Sequence, residues 1–283
     1  MIKPLRPASP LTVPDRTLHF SRQPAPEGIT VRGVRNLQEF YSGMRLLHQQ
    51  YRRLGIITPQ PGEMIFSPAL FQHGSRLFIA TRGNAVVGTI AYLRHGTLGI
   101  PAMSLYGEEI QPWLARGPVG EIGALCIEPS CRNQGVLRLL YAYAILYACV
   151  AERTETLFIQ VDRRKAAFYQ KMFFFQPASE GKRHPAYGNL ESMLMRGEIR
   201  PLLRQLRHSL LPAQRLSIRQ LLGHLHILPL YQQLRYRMQH SRPFLWQADS
   251  VRDYCRQCHV SGQRISPALR RLLWQEWGWV PGP

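Results

Sequence analysis

The sequence predicts an α/β fold: one mixed, mostly antiparallel sheet flanked by helices, with a helical appendage at the C-terminus. Three observations carry this. Short apolar runs alternate with longer runs of helical period between Ile29 and Met195. A strand, tight turn, glycine and long apolar helix succeed one another from Gly120 to Val150. After Glu198 the chain becomes rich in Arg, punctuated by Pro and amphipathic in pattern. The implied order is β-α-ββ-β-α-β-α-β-β, an α/β arrangement around one mixed sheet. The domain reading is a Pro-rich extended arm over 1–28, an α/β unit over 29–198 and a basic helical extension over 199–283.

Residues 1–28 hold six prolines and no apolar segment, so they read as an extended arm without a secretory leader. Ile29 to Val34 alternates as a strand. Leu37 to Leu54 is helical, with Leu37, Phe40, Tyr41, Met44, Leu47, His48 and Tyr51 near one face, and Gly55 stops it. His48 on that stripe reads as a satisfied histidine rather than a ligand. Leu77–Thr81 and Val86–Leu93 are strands joined at Arg82-Gly83-Asn84, and Gly88 marks a bulge or a close neighbour. Gly96 to Pro118 reads as a loop. Glu121–Ile127 is the central strand and the run beginning at Gly135 the central helix. Leu157–Val161 is a further strand, Lys165–Met172 a short helix, and Phe173–Gln176 and Tyr187–Met195 supply the last strands.

The chain has 283 residues, 45% of them hydrophobic, and a net charge of +19 with a pI near 10.5. Nearly all the basic residues are Arg, which suits bidentate contacts to phosphate and carboxylate and favours acidic partners. Five cysteines at scattered spacing make no disulfide framework and fit a reducing cytoplasm. The longest apolar run, Leu139 to Val150, is short of the ~20 residues that span a bilayer.

The Gly120–Val150 segment has a physical use. First-turn amides of a helix lack intrahelical partners, the helix dipole favours negative charge there, and Gly135 permits close approach. The segment reads as a site for an anionic, phosphate-bearing ligand, or as a plain strand–turn–helix junction. Leu125-x-Ile127-x-Pro129-x-x-Arg132-x-x-Gly135 resembles the acyl-donor motif of the GCN5-related N-acetyltransferase (GNAT) superfamily. Tyr51–Ile57, Val87-Gly88-Thr89, Gly99–Met103, Gly120–Gly123 and Val161–Phe174 occur in the order seen in long-chain N-acyl amino acid synthases, relatives of N-acyl homoserine lactone synthases. The resemblance covers about Ile29 to Glu198.

This resemblance implies the GNAT fold and an acyltransferase. Its donor would be an acyl-phosphopantetheine thioester on acyl carrier protein, or acyl-coenzyme A as the alternative, and its acceptor a small amine or amino acid. It implies no tightly bound cofactor and no metal. Arg132, Asn133, Gln134, Gly135 and Val136 would hold the donor phosphate. Backbone amides near Cys126 and Ile127 would stabilise the thioester oxygen. Leu137 stands where the superfamily usually has Gly or Ala, and would crowd a coenzyme A pyrophosphate but not a carrier arm. Ala124 stands where lactone synthases carry Arg, and Phe173-Phe174-Phe175 lacks the Gly often found before the final Phe.

Acyl transfer to an amine needs a base, an oxyanion donor, an acid for the leaving thiol and in-line positioning. Glu121 is the candidate base, or else a structural carboxylate paired with an arginine. Tyr169 is the candidate acid, or else a core aromatic. Cys126 as a nucleophile is disfavoured, because no His lies near it in the motif. Arg163, Arg164 and Lys165 read as a carrier-protein contact or a solvated basic turn. Phe71, Phe78, Phe158, Phe168 and Phe173–Phe175 could line an acyl tunnel, though core packing is the plainer reading.

The C-terminal extension has 13 Arg against Asp249, Asp253 and Glu276. Leu202, Leu203, Leu206 and Leu210, then Leu221, Leu222 and Leu225, mark amphipathic helices. Trp274, Trp277 and Trp279 suit peripheral contact with the inner membrane, a partner, or docking onto the catalytic unit. Cys255-x-x-Cys258-His259 matches the haem-attachment string but lacks an export signal and an axial methionine segment, so it is rejected. His224-x-His226 is too sparse for a metal site. The leading reading is a cytoplasmic N-acyltransferase. An acetyl-coenzyme A-dependent acetyltransferase is the first alternative and a basic nucleic-acid-binding protein on a degenerate GNAT fold the second. Nucleic acid is disfavoured, since no recognition helix stands out.

Overall fold

The computed structural model describes residues 27–201, 228–240 and 244–282. The Pro-rich arm up to residue 26 and the stripes from Leu202 to Leu225 lie outside these residues.

The strands are β1 (Ile29–Gly33), β2 (Arg76–Arg82), β3 (Ala85–Arg94), β4 (Val119–Ile127), β5 (Thr156–Asp162), β6 (Gln176–Pro177), β7 (Lys182–His184) and β8 (Leu190–Glu198). They form one sheet in the order β1-β2-β3-β4-β5-β8-β6, with β7 also paired to β8. Every pairing is antiparallel except β4 with β5. The helices are α1 (Leu37–Arg53), α2 (Met103–Leu114), α3 (Val136–Val150), α4 (Ala166–Phe173), α5 (Leu228–His240), α6 (Ala248–Gln257) and α7 (Pro267–Trp277).

Alternation along the strands gives the sheet two apolar faces. One takes Phe78, Ile90, Tyr92, Ile122, Leu157 and Ile159 against α3, with α4 and α5 beside it. The other takes Leu77, Ile79, Ala91 and Leu93 against α1. The helix α1 starts where the Asn36 side chain accepts from the Glu39 N–H at 2.9 Å, and buries Phe40, Tyr41, Met44, Leu47 and His48 at helical spacing. His48 is satisfied, since Nε2 accepts from the Gln60 N–H at 3.1 Å.

Three expectations are corrected. Gly96–Pro118 is not all loop, because α2 occupies Met103–Leu114. Tyr106 and Ile110, four residues apart, are buried on one side, against Val119, Phe158 and Leu194. Phe173–Gln176 is not a strand: Phe173 ends α4, Phe174 turns left-handed (φ 61°), and β6 spans only Gln176–Pro177. Pro185–Tyr187 is a 3-10 turn and β8 begins at Leu190.

The C-terminal helices α6 and α7 pack into the same core as α1. Tyr254 is fully buried and its hydroxyl donates to the Ile65 carbonyl at 2.5 Å. Tyr41 donates to Asp253 (2.6 Å) and Trp246 Nε1 to the Leu70 carbonyl (2.8 Å). Trp277 meets Phe71 edge-on, while Trp274 is 65% exposed. Cys255 and Cys258 are free, buried in this core, and pushed up to about 12 by burial. Among the described residues no helix is long and apolar enough to cross a membrane.

Candidate active site

The site is a gap in the sheet. Strands β4 and β5 are in register only at Val119/Thr156, Gly120/Leu157 and Glu121/Phe158. Beyond Glu121, β5 continues along β8 to Asp162/Ser192, while β4 runs beside β3 to Ile127/Gly88. A bulge in β4 accompanies the divergence. The β3–β4 register shifts between Thr89 and Ala91, Ala124 has a positive φ of 49°, and the Thr89 hydroxyl donates to the Ala124 carbonyl at 2.7 Å. A bulge bends its strand and redirects the side chains beyond it. Gly123, Ala124 and Leu125 are therefore partly solvent-accessible in mid-sheet.

Strand alternation decides which amide faces the gap. The Glu128 N–H donates to the Val87 carbonyl of β3 at 2.9 Å. Two residues back, the Cys126 N–H points the same way, so the Ile127 N–H between them points toward the gap. Of the two expected oxyanion donors, Ile127 has the matching direction.

Past β4, Pro129–Cys131 forms a short turn. Arg132 Nε donates to the Ile127 carbonyl (3.3 Å) and Nη2 to Gln50 Oε1 (3.2 Å). Gln134 donates to the Ser130 carbonyl (2.7 Å) and accepts from Arg82 (2.7 Å). These two side chains brace the turn against β4, α1 and β2. Asn133 (φ 60°) and Gly135 (φ 79°) are left-handed, and α3 begins at Val136. The Leu139 N–H donates to the Gly135 carbonyl at 3.2 Å, so the amides of Val136 to Arg138 precede the ladder. This is the geometry that receives a phosphate. Leu137 packs partly against the α3 core.

At the root of the gap, Glu121 is 4% exposed. Burial pushes its carboxyl up to about 7, and the Ala102 N–H, donating to Oε2 at 2.7 Å, pulls the other way. No arginine pairs with it among the described residues, which disfavours the structural-carboxylate reading. Oε1 lies on the side of Gly123, just past the parallel register.

Tyr169 is 9% exposed on α4, and its hydroxyl is hydrogen-bonded to that of Tyr141, a pair in which either oxygen can be the donor. Its rings with Tyr141 lie 5.8 Å apart. Cys126 is buried, lies 3.2 Å from the Thr89 hydroxyl, and is pushed up to about 12 by burial. A thiol so rarely ionised is a poor nucleophile. Arg163 pairs with Glu191 (2.5 Å) and Arg164 with Asp162 (2.6 Å), both at the surface. Phe71, Phe78 and Phe158 fall in three separate buried clusters, as the core-packing reading expects.

Two residues went unnoticed as site groups in the sequence. Tyr51, at the end of α1, is raised far above its ordinary pKa by burial and then by Tyr187, Cys126, Tyr169 and Glu121. It thus stands among the other candidates. Tyr187 feels Glu121 too, after burial, and meets Tyr51 edge-on at 6.3 Å. A phenol ending an apolar stripe just before the stop at Gly55 was the available signal for Tyr51. None marked Tyr187.

Residues 42–198 match the family model described as N-acyl amino acid synthase FeeM. The fold is similar to the solved structure of FeeM, an N-acyl amino acid synthase from uncultured soil microbes. The TM-score is 0.55 at 18% identity, covering 62% of this chain and 93% of that one. More distant likenesses are the AHL synthase LasI (0.44, 14%, 60% and 90%) and Arabidopsis thaliana NAA60 in complex with acetyl-CoA (0.44, 14%, 61% and 99%). No curated protein matches the chain in sequence.

Proposed function

The chain belongs to the N-acyl amino acid synthase FeeM family and is an N-acyltransferase, and we propose that it moves a fatty acyl group from acyl carrier protein to the α-amine of an amino acid or similar small amine. The observation that carries this reading is the β4–β5 gap, with the Ile127 N–H aimed into it and at its root a buried Glu121 that no arginine among the described residues pairs with.

In this reading the phosphopantetheine arm lies in the gap with its phosphate against the Arg132–Val136 turn. The amine nitrogen attacks the thioester carbonyl. As the C–N bond forms, the Ile127 N–H stabilises the oxyanion and Glu121 takes the amine proton, directly or through water. The C–S bond then breaks and Tyr169 supplies the proton to the leaving thiolate. Two features favour a carrier protein over coenzyme A as donor. Leu137 takes room where an adenosine pyrophosphate would need it, and a net charge of +19 suits an acidic partner.

Expression in a bacterial host, with mass spectrometry of extracted lipids, tests the reading. New N-acyl amino acids support it and name both chain length and acceptor. Acetyl transfer in their place overturns the donor assignment.

A further inference from the structure

A second hollow lies elsewhere on the molecule, between the end of β1, the start of β2, the C-terminal half of α3 and the helix α5. Its volume is about 500 Å³, within the range of about 300–1,000 Å³ for small-molecule sites. It is separate from the β4–β5 gap. Tyr143, on its wall, is eight residues beyond Gly135, about 12 Å along the helix.

Its chemistry is two-sided. Arg32, Arg35, Arg76 and Arg237 line it. Glu39 is bound by both Arg32 (2.6 Å) and Arg35 (2.7 Å). Burial would raise its carboxyl, but those two guanidinium groups hold it down at about 2, so it is always an anion and is already shared. Glu152, which the Tyr147 hydroxyl reaches at 3.0 Å, is paired with Arg94. Among the described residues Arg76 and Arg237 have no carboxylate at ion-pair distance. Arg76 donates to the Ser75 carbonyl and Arg237 contacts the Tyr143 hydroxyl. Arg237 is lowered by burial and also by the nearby charges of Arg32 and Arg35, so positive charge is in excess there. Beside Tyr143 and Tyr147, Phe78, Leu234, Met238 and Phe244 give the lining an apolar wall. Beside it Met238 is 48% exposed and Tyr236 62%.

A bare anion would leave this apolar wall wet, and a neutral chain would leave the arginines without a counter-ion. We propose that the hollow binds the carboxylate end of a single-chain amphiphile, a fatty acid or an N-acylated amino acid. Arg76 and Arg237 meet the carboxylate, and the chain lies along Phe78, Leu234 and Met238. The assignment rests on the hollow's own residues and does not depend on the acyl-transfer reading.

The test is titration calorimetry on the full chain, below micelle-forming concentrations. Dodecanoate and N-dodecanoylglycine are the probes. Dodecyltrimethylammonium is the same-chain cation and acetate the chainless anion. At least one carboxylate amphiphile should bind saturably, with both controls weaker by about tenfold or more. The tighter carboxylate names the source, and equal affinities support the shared chemistry. Arg76→Gln and Arg237→Gln should each weaken binding by about tenfold without moving the thermal midpoint, as should Met238→Asp. If one arginine variant misfolds, the other carries the test. Saturating acyl-pantetheine should leave the amphiphile bound. No carboxylate binding, equal binding of the cation, unchanged affinity in the folded arginine variants, or displacement by acyl-pantetheine would each overturn the proposal.

Discussion

Replacing Glu121 by Gln separates two consequences of one buried carboxyl. Burial raises it from 4.5 to about 7, against the pull of the Ala102 N–H. At ~1.36 kcal/mol per unit this is about 3 kcal/mol between its protonated and ionised forms. The unfolded chain loses this proton near 4.5 and the folded chain near 7. The contribution to stability is therefore fully present below 4.5 and is lost as pH rises through 7. Gln cannot ionise and keeps its contribution at all pH. Fitting an amide into the site has a constant cost, which does not vary with pH. The stability of E121Q minus that of the parent should thus rise by about 3 kcal/mol between pH 4.5 and 8.5, read from urea unfolding at each pH. Over the same range the parent's acyl-transfer rate should climb to a plateau above about 7, as the base loses its proton. In E121Q the rate should fall by ~100-fold or more. A stability difference that is flat with pH would refute the raised carboxyl. Turnover within twofold of the parent would remove Glu121 from the reaction.

Tyr169→Phe should slow transfer and leave the Tyr141 hydroxyl without its hydrogen-bond partner, costing about 1–3 kcal/mol. Adding Tyr141→Phe should restore stability but not rate; recovery of the rate would deny Tyr169 a role as acid. Cys126→Ala should keep the rate within a few-fold, since a thiol at about 12 is protonated at working pH, and a dead variant with native unfolding would argue for the sulfur. Leu137→Ala should raise the use of acyl-coenzyme A relative to acyl carrier protein in competition assays. An unchanged preference would mean that the side chain does not set donor choice.

Much of the fold was legible because burial imposes a period. The strands β2 to β5 and helices α1 and α3 stand within a few residues of their sequence readings, since each presents apolar groups to the cores on one or both faces of the sheet. What stayed hidden involved local chemistry at odds with tertiary structure. Gly and Pro concealed α2, although Tyr106 and Ile110 carry its buried side. Phe174 sits in a left-handed turn that favours Gly, held there because Phe173 and Phe175 on either side are buried, at 6% and 2% exposure. The bulge at Ala124 had only the neighbouring Gly123 to announce it, and it lies where the central strand parts from β5. The motif from Leu125 to Gly135 pointed to the turn and helix start where the proposed donor would bind. Tyr51 and Tyr187 come from opposite ends of the catalytic region, and only the folded sheet brings them together.

The most direct measurement is a crystal structure of the E121Q protein with an acyl-pantetheine thioester. The thioester carbonyl oxygen should sit about 2.7–3.1 Å from the Ile127 nitrogen, with the arm between β4 and β5 and its phosphate end at the Arg132–Val136 turn. An arm bound anywhere else, or side chains filling the space between those two strands, would contradict the account.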